Sequence, residues 1–169
     1  MKHILVGIDG SIESLDAVSW AADLAKQLGA DVIAASVFGF YPVVAIADNG
    51  VYMSEDGLNG WRKDLQRDLD GDWTKALRDA GVAVTTRVEE GQAAEVLLRL
   101  AAEYAVDLIV VGSRGHGMVK AMFLGSVSHI LALRAPCPVV ILPHPHQRHG
   151  HEPKAPTSAI VPSTSTTGH

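Results

Sequence analysis

Apolar positions change their period several times along the chain. Ile4-Leu5-Val6 is a short apolar run ending in Gly7-Ile8-Asp9-Gly10-Ser11, which predicts a buried strand over 1–8 and a tight turn after it. From Glu13 the spacing becomes three and four. Leu15, Val18, Ala22 and Ala25 define the inner face of a helix that runs to about Leu28 and stops at Gly29. Val32 to Val37 is a second apolar run, completing a β-α-β unit whose crossover should be right-handed. Leu58, Trp61, Leu65, Leu69 and Leu77 predict one long second helix of about six turns, closed by Gly81. Val82 to Val88 reads as a third strand. Ala93, Val96, Leu97, Leu100, Ala101 and Tyr104 line a third helix. Leu108 to Val111 is the most hydrophobic strand, Ser126 to Arg134 a last short helix, and Val139 to Leu142 a fifth strand between prolines.

This alternation calls for an α/β fold with a parallel sheet covered by helices on both faces. Between the elements, 38–57 lacks a clear period and reads as a long loop, of the kind that tends to be functional. From Pro143 the composition shifts to His, Pro, Ser, Thr and Gly. Residues 144–169 are therefore expected to form a disordered tail beyond a single domain over 1–143, because so little apolar surface cannot offset the entropy of ordering.

Composition narrows the function classes. The chain has 169 residues, 47% hydrophobic and 20% charged, with a net charge of −5. That balance argues against general affinity for nucleic acid or anionic membrane. No apolar run is long enough for a membrane span. The first residues read as a strand rather than a signal peptide. A single cysteine, Cys137, excludes an internal disulfide framework and suits a reducing compartment, so the expected location is cytoplasmic.

The segment richest in candidate chemistry is Gly112-Ser113-Arg114-Gly115-His116-Gly117, continuing to Gly125-Ser126-Val127-Ser128. It starts where a buried strand ends and finishes where a helix begins. Gly112 and Gly115 would let backbone amides approach an anion closely. With Ser126 as the expected N-cap, the first amides of the helix would face the same pocket, and Arg114 and Lys120 would add positive charge. The loop has neither the Gly-Lys-Ser/Thr of a Walker A motif nor the third glycine of a dinucleotide fingerprint. Asp9 follows the first strand as Gly112 follows the fourth. In a doubly wound sheet ordered 3-2-1-4-5 those strands are neighbours, and the crevice at their carboxyl ends is the switch point where ligands bind. The plainer roles are turn-making for the glycines and helix capping for Asp9.

At these residues the chain resembles the ATP-binding members of the universal stress protein family, which carry glycine, two residues, glycine, nine residues, then glycine and Ser or Thr. Gly112, Gly115, Gly125 and Ser126 meet that spacing. The segments 4–11, 108–115 and 135–143 are also similar to family segments, so the resemblance spans about 1–143. It implies a flavodoxin-like (adenine nucleotide alpha hydrolase-like), three-layer, doubly wound sheet of five parallel strands. It further implies that Asp9 hydrogen-bonds the nucleoside of ATP and that the backbone of Val37 contacts adenine. Gly115, Gly125, Ser126, Val127 and Ser128 would surround ribose and phosphates, with Gly112, Ser113 and Arg114 nearby and Mg²⁺ accompanying the phosphates. Gly7-Ile8 stands where some members have Pro-Thr before the aspartate. The implied role is regulatory, in a stress response, with a homodimer formed through Val139 to Leu142 and a further protein partner.

Other signals point to structure. His144, His146, His149 and His151 have a spacing that suits incidental metal affinity. His116 reads as a residue tolerating an unusual turn, and Cys137 as a buried structural thiol. Trp61 and Trp73 read as packing residues on similar faces of one helix, and Glu89-Glu90 as a solvated turn. Val139 to Leu142 is an apolar edge strand without a charge to discourage pairing, so something should cover it: the same strand of a second copy, as the resemblance implies, or the tail folded back over the edge. Two alternative functions are slow ATP hydrolysis or transfer of its phosphoryl or adenylyl group, which would use the same loop, and nucleotide-free docking, in which the loop is only structural.

Overall fold

The computed structural model describes residues 1–39, 55–115 and 124–143. Most of the long loop expected over 38–57, the middle of the glycine-rich loop with His116 and Lys120, and the histidine-rich tail lie outside the described residues. Five strands, β1 (His3–Gly7), β2 (Asp31–Phe38), β3 (Val84–Glu90), β4 (Leu108–Gly112) and β5 (Val139–Leu142), form one sheet. Its order is β3-β2-β1-β4-β5, and every neighbouring pair is parallel. The doubly wound architecture read from the sequence is therefore the observed one.

Period-two alternation along the strands builds two cores. Ile4, Val6, Val32, Ala34, Leu108 and Val110 face α1 (Ile12–Leu28) on one side. Leu5, Ile33, Ile109 and Val111 face α4 (Ala93–Glu103) and α5 (Ser126–Arg134) on the other. Burial on both faces is why these strands read as continuous apolar runs. At the amino-terminal end of the sheet, Asp107 ties β4 to β1. Its carboxylate accepts the amides of Lys2 (2.5 Å) and His3 (3.1 Å), and these hydrogen bonds hold its pKa below the usual carboxylate range. Among the described residues no helix is long and apolar enough to cross a membrane.

The second helix is not continuous, contrary to the sequence expectation. α2 (Glu55–Asp70) ends before Gly71, a 3-10 turn occupies Asp72–Thr74, and α3 (Lys75–Asp79) follows. Thr74 fixes the break: its fully buried hydroxyl donates to the Leu69 carbonyl (2.5 Å) and accepts from Arg78 (2.6 Å). Leu69 and Leu77 stay fully buried on either side, each contributing about 2 kcal/mol by burial.

Two further expectations change. Glu89 and Glu90 belong to the end of β3 rather than to a turn, because Glu89 is neutralised there by Arg87 (2.5 Å) and Arg99 (2.9 Å). Burial opposes the Glu89 charge, but the hydrogen bonds and positive charge of the two arginines prevail and hold its carboxyl below its ordinary value. Cys137 is half-buried rather than fully buried. Burial raises its thiol pKa and the charge of Asp107 adds to the effect, which keeps it protonated and inert at neutral pH.

Candidate functional site

Two segments meet at the carboxyl end of the sheet, where β1 and β4 lie side by side and the chain leaves in opposite directions. The first is the turn from β1 into α1. Ser11 is the N-cap of α1, a role that sequence reading missed, and its hydroxyl accepts the Ser14 amide (3.3 Å). Oδ1 of Asp9 accepts both the amide (3.0 Å) and the hydroxyl (2.6 Å) of Ser11. Asp9 therefore does fill the turn-stabilising role of an aspartate two residues ahead of a capping serine. A Ser two residues after an Asp, just before a helical period, is the signal that would have revealed it.

The second segment is the loop from β4 toward α5. Ser113 extends the ladder by donating its amide to Leu142 (2.7 Å), and its carbonyl accepts the Gly125 amide (2.7 Å) and the Ser128 hydroxyl (3.1 Å). The two ends of the loop are thus pinned together. Gly125, not the expected Ser126, is the N-cap, with no side-chain hydrogen bond to the helix. Ser126 is exposed one position inside. The Ser128 hydroxyl is buried and also bonds the Gly125 carbonyl (3.0 Å), so it latches the loop. The first-turn amides of α5 are left without a side-chain cap. In the same loop, Ser113 Oγ and Arg114 Nε are buried without a hydrogen-bond partner among the described residues, which is costly unless another group answers them.

The two segments touch at Gly115. A methyl group placed there would fall 2.1 Å from Asp9 Oδ2, so only glycine brings the loop this close to the carboxylate. Gly112 serves packing as well, since a methyl group there would fall 2.7 Å from Glu13 Cβ at the start of α1.

Val37 lies near the carboxyl end of β2, the strand beside β1. Along β2, Val32 and Phe38 bond toward β3, while Asp31 and Ala35 bond toward β1, the last such bond among the described residues being Ile8 N–H to the Ala35 carbonyl (2.8 Å). Strand alternation then turns the amide and carbonyl of Val37 toward the β1 side, two residues beyond that last bond. A donor and an acceptor stand together there. Among the described residues no group of three His, Cys, Asp or Glu side chains is placed to hold a metal ion.

The strand order defines a doubly wound α/β domain with its switch point between β1 and β4. The universal stress protein family model matches residues 1–143, and the chain belongs to that family. Universal stress protein YxiE of Bacillus subtilis is 36% identical over 146 residues, covering 83% of this chain and 98% of the relative. A universal stress protein family member from Burkholderia pseudomallei superposes with a TM-score of 0.64 at 29% identity, covering 85% of this chain and 96% of that one. A universal stress protein solved in complex with cAMP gives a TM-score of 0.61 at 27% identity, covering 83% and 95%.

Proposed function

We propose that this protein binds ATP in the switch-point crevice and acts as a cytoplasmic stress-response regulator, occupancy altering the loops or dimer surface that a partner reads. The observation that carries the reading is the junction at Gly115. It sets the Asp9 carboxylate beside a loop whose buried Ser113 Oγ and Arg114 Nε lack partners among the described residues and whose helix α5 starts without a side-chain cap. Those groups fit a polyphosphate: amides and dipole at a helix N-terminus, and a guanidinium within reach. Asp9 would accept from ribose, and the paired donor and acceptor of Val37 suit the edge of adenine. Gly112 lets α1 and the loop close on one another. Gly125, Ser126, Val127 and Ser128 supply backbone to the phosphates, and Mg²⁺ would arrive with them. The relative solved with cAMP supports an adenine nucleotide as the ligand class.

Binding is favoured over turnover because Oδ1 of Asp9, the one described carboxylate touching the loop glycine, is already engaged by Ser11. Catalysis needs a base or a water-positioning group. Replacing Gly115 by Val should abolish ATP binding, by about a hundredfold or more, while the fold persists. Full affinity in folded G115V would place the phosphates elsewhere.

The sheet edges support a homodimer through β5. β3 is guarded by the Arg87–Glu89 pair, whereas β5 is entirely apolar. The Pro138 and Leu142 carbonyls bond inward to β4, so alternation turns the backbone of Val139 and Ile141 outward. Two such edges can pair across a two-fold axis. I141P removes an outward amide and should convert dimer to monomer in sedimentation equilibrium; an unchanged dimer would put the interface on another surface.

A further inference from the structure

We infer that Trp73 is a positioning residue for the switch-point crevice: its indole, delivered by the break between α2 and α3, braces the Gly10 turn and fixes the Asp9 carboxylate opposite Gly115. The inference rests on the nucleotide reading for its consequence, but its geometry is independent of it. Gly10 adopts φ +81°, and a methyl group built on it would fall 2.5 Å from Cζ2, 3.0 Å from Cε2 and 3.1 Å from Cη2 of Trp73. The six-membered ring therefore lies flush against the backbone between Asp9 and Ser11, the two residues whose hydrogen bonds define the turn.

The break in the second helix explains how the ring gets there. Trp61 stands 40% exposed with its ring in a T-shaped contact with Phe38, while Trp73, beyond the break, packs partly buried on the α1 side of the core. Between them, Thr74 bonds back to Leu69, and Arg78 donates to Thr74 and to the Gly71 carbonyl. These contacts hold the 3-10 turn that aims Trp73 at Gly10. A carboxylate on an otherwise exposed turn is useful to a ligand only if its direction is fixed beforehand, and a rigid ring with two rotatable bonds does that at little entropic cost.

The test uses the full chain and two readouts. Trp20 and Trp61 are the other tryptophans, both partly exposed, so W20F/W61F leaves Trp73 as the single indole. On titration with ATP and Mg²⁺ its emission should shift and saturate at the calorimetric midpoint; a silent Trp73 in protein that binds ATP overturns the proposal. In parallel, W73F should keep a flat ring on Gly10 and hold ATP affinity within about threefold, whereas W73L should lose about tenfold, the size of one charge-assisted hydrogen bond. W73L should also lose hydrogen-exchange protection at the Ser11 amide, and W73F should not. A merely structural tryptophan would lower the unfolding midpoint in both variants with affinity and Ser11 protection intact, and that result rejects the proposal. Should wild-type protein bind no nucleotide, the binding reading falls, while the Ser11 amide still decides whether Trp73 braces the turn.

Discussion

Of the helices that begin at the carboxyl end of this sheet, α1 and α5 begin differently. α1 is finished by its own chain: Ser11 caps it, and Asp9 holds Ser11. α5 opens on a glycine without a side chain to offer, after a loop in which two buried polar atoms meet no partner among the described residues. The same physical need, satisfying the amides of a first helical turn, is met internally in one case and left open in the other. A finished turn contributes stability. An open one, held by the Ser113–Gly125 and Ser113–Ser128 bonds, is where the proposed phosphates would sit. Gly115 joins the two, so the closed turn presents its carboxylate to the open loop.

Closing the open helix is the strongest way to break this comparison. Gly125→Asp puts a preferred capping carboxylate where the phosphates are proposed to lie. A side chain fits there with a small adjustment, its Cβ lying 3.2 Å from the Ser113 carbonyl. ATP affinity should fall by about tenfold or more while thermal stability holds or rises slightly. Unchanged affinity in calorimetry would show that α5 does not carry the anion.

Opening the closed helix is the complementary change. Ser11→Ala removes the α1 cap and one bond to Asp9, and should cost about 1–2 kcal/mol in urea unfolding, with a smaller loss of ATP affinity than G125D. If stability is unchanged, the cap seen at Ser11 is not contributing.

A charge on the edge strand β3, in register with Val37, gives the smallest effect and serves as the control. Glu89 has a folded pKa below its unfolded value of about 4.3. Its contribution is therefore complete above the unfolded value and is lost as pH falls through the folded one. Glu89→Gln should lower stability by about 1 kcal/mol or less at neutral pH, with the difference fading in acid and ATP affinity untouched. A change in affinity would mean that the β3 edge and the crevice are coupled.

The sequence disclosed the sheet because buried parallel strands leave uninterrupted apolar runs, and β4 and α5 were legible almost to the residue. It concealed the break after Asp70, since Leu69 and Leu77 are eight apart and keep the helical period across it. Glu89-Glu90 looked like a turn because a paired charge on an edge strand has the composition of a solvated one. At the site, glycine spacing drew attention to the right segment, but the division of labour was hidden. Gly125 and Ser126 both suit an N-cap, and only the backbone shows which one takes it. The contacts of Gly115 with Asp9 and of Gly10 with Trp73 join residues far apart in sequence, and no local pattern records them.

The most direct test of the central claim is a calorimetric titration of nucleotide-stripped, full-length protein with ATP and Mg²⁺. Saturable binding at about one nucleotide per chain, within the micromolar-to-millimolar range of small-ligand sites, is the predicted result. Folded protein that takes up no nucleotide would contradict it and leave the open helix start of α5 as a structural turn.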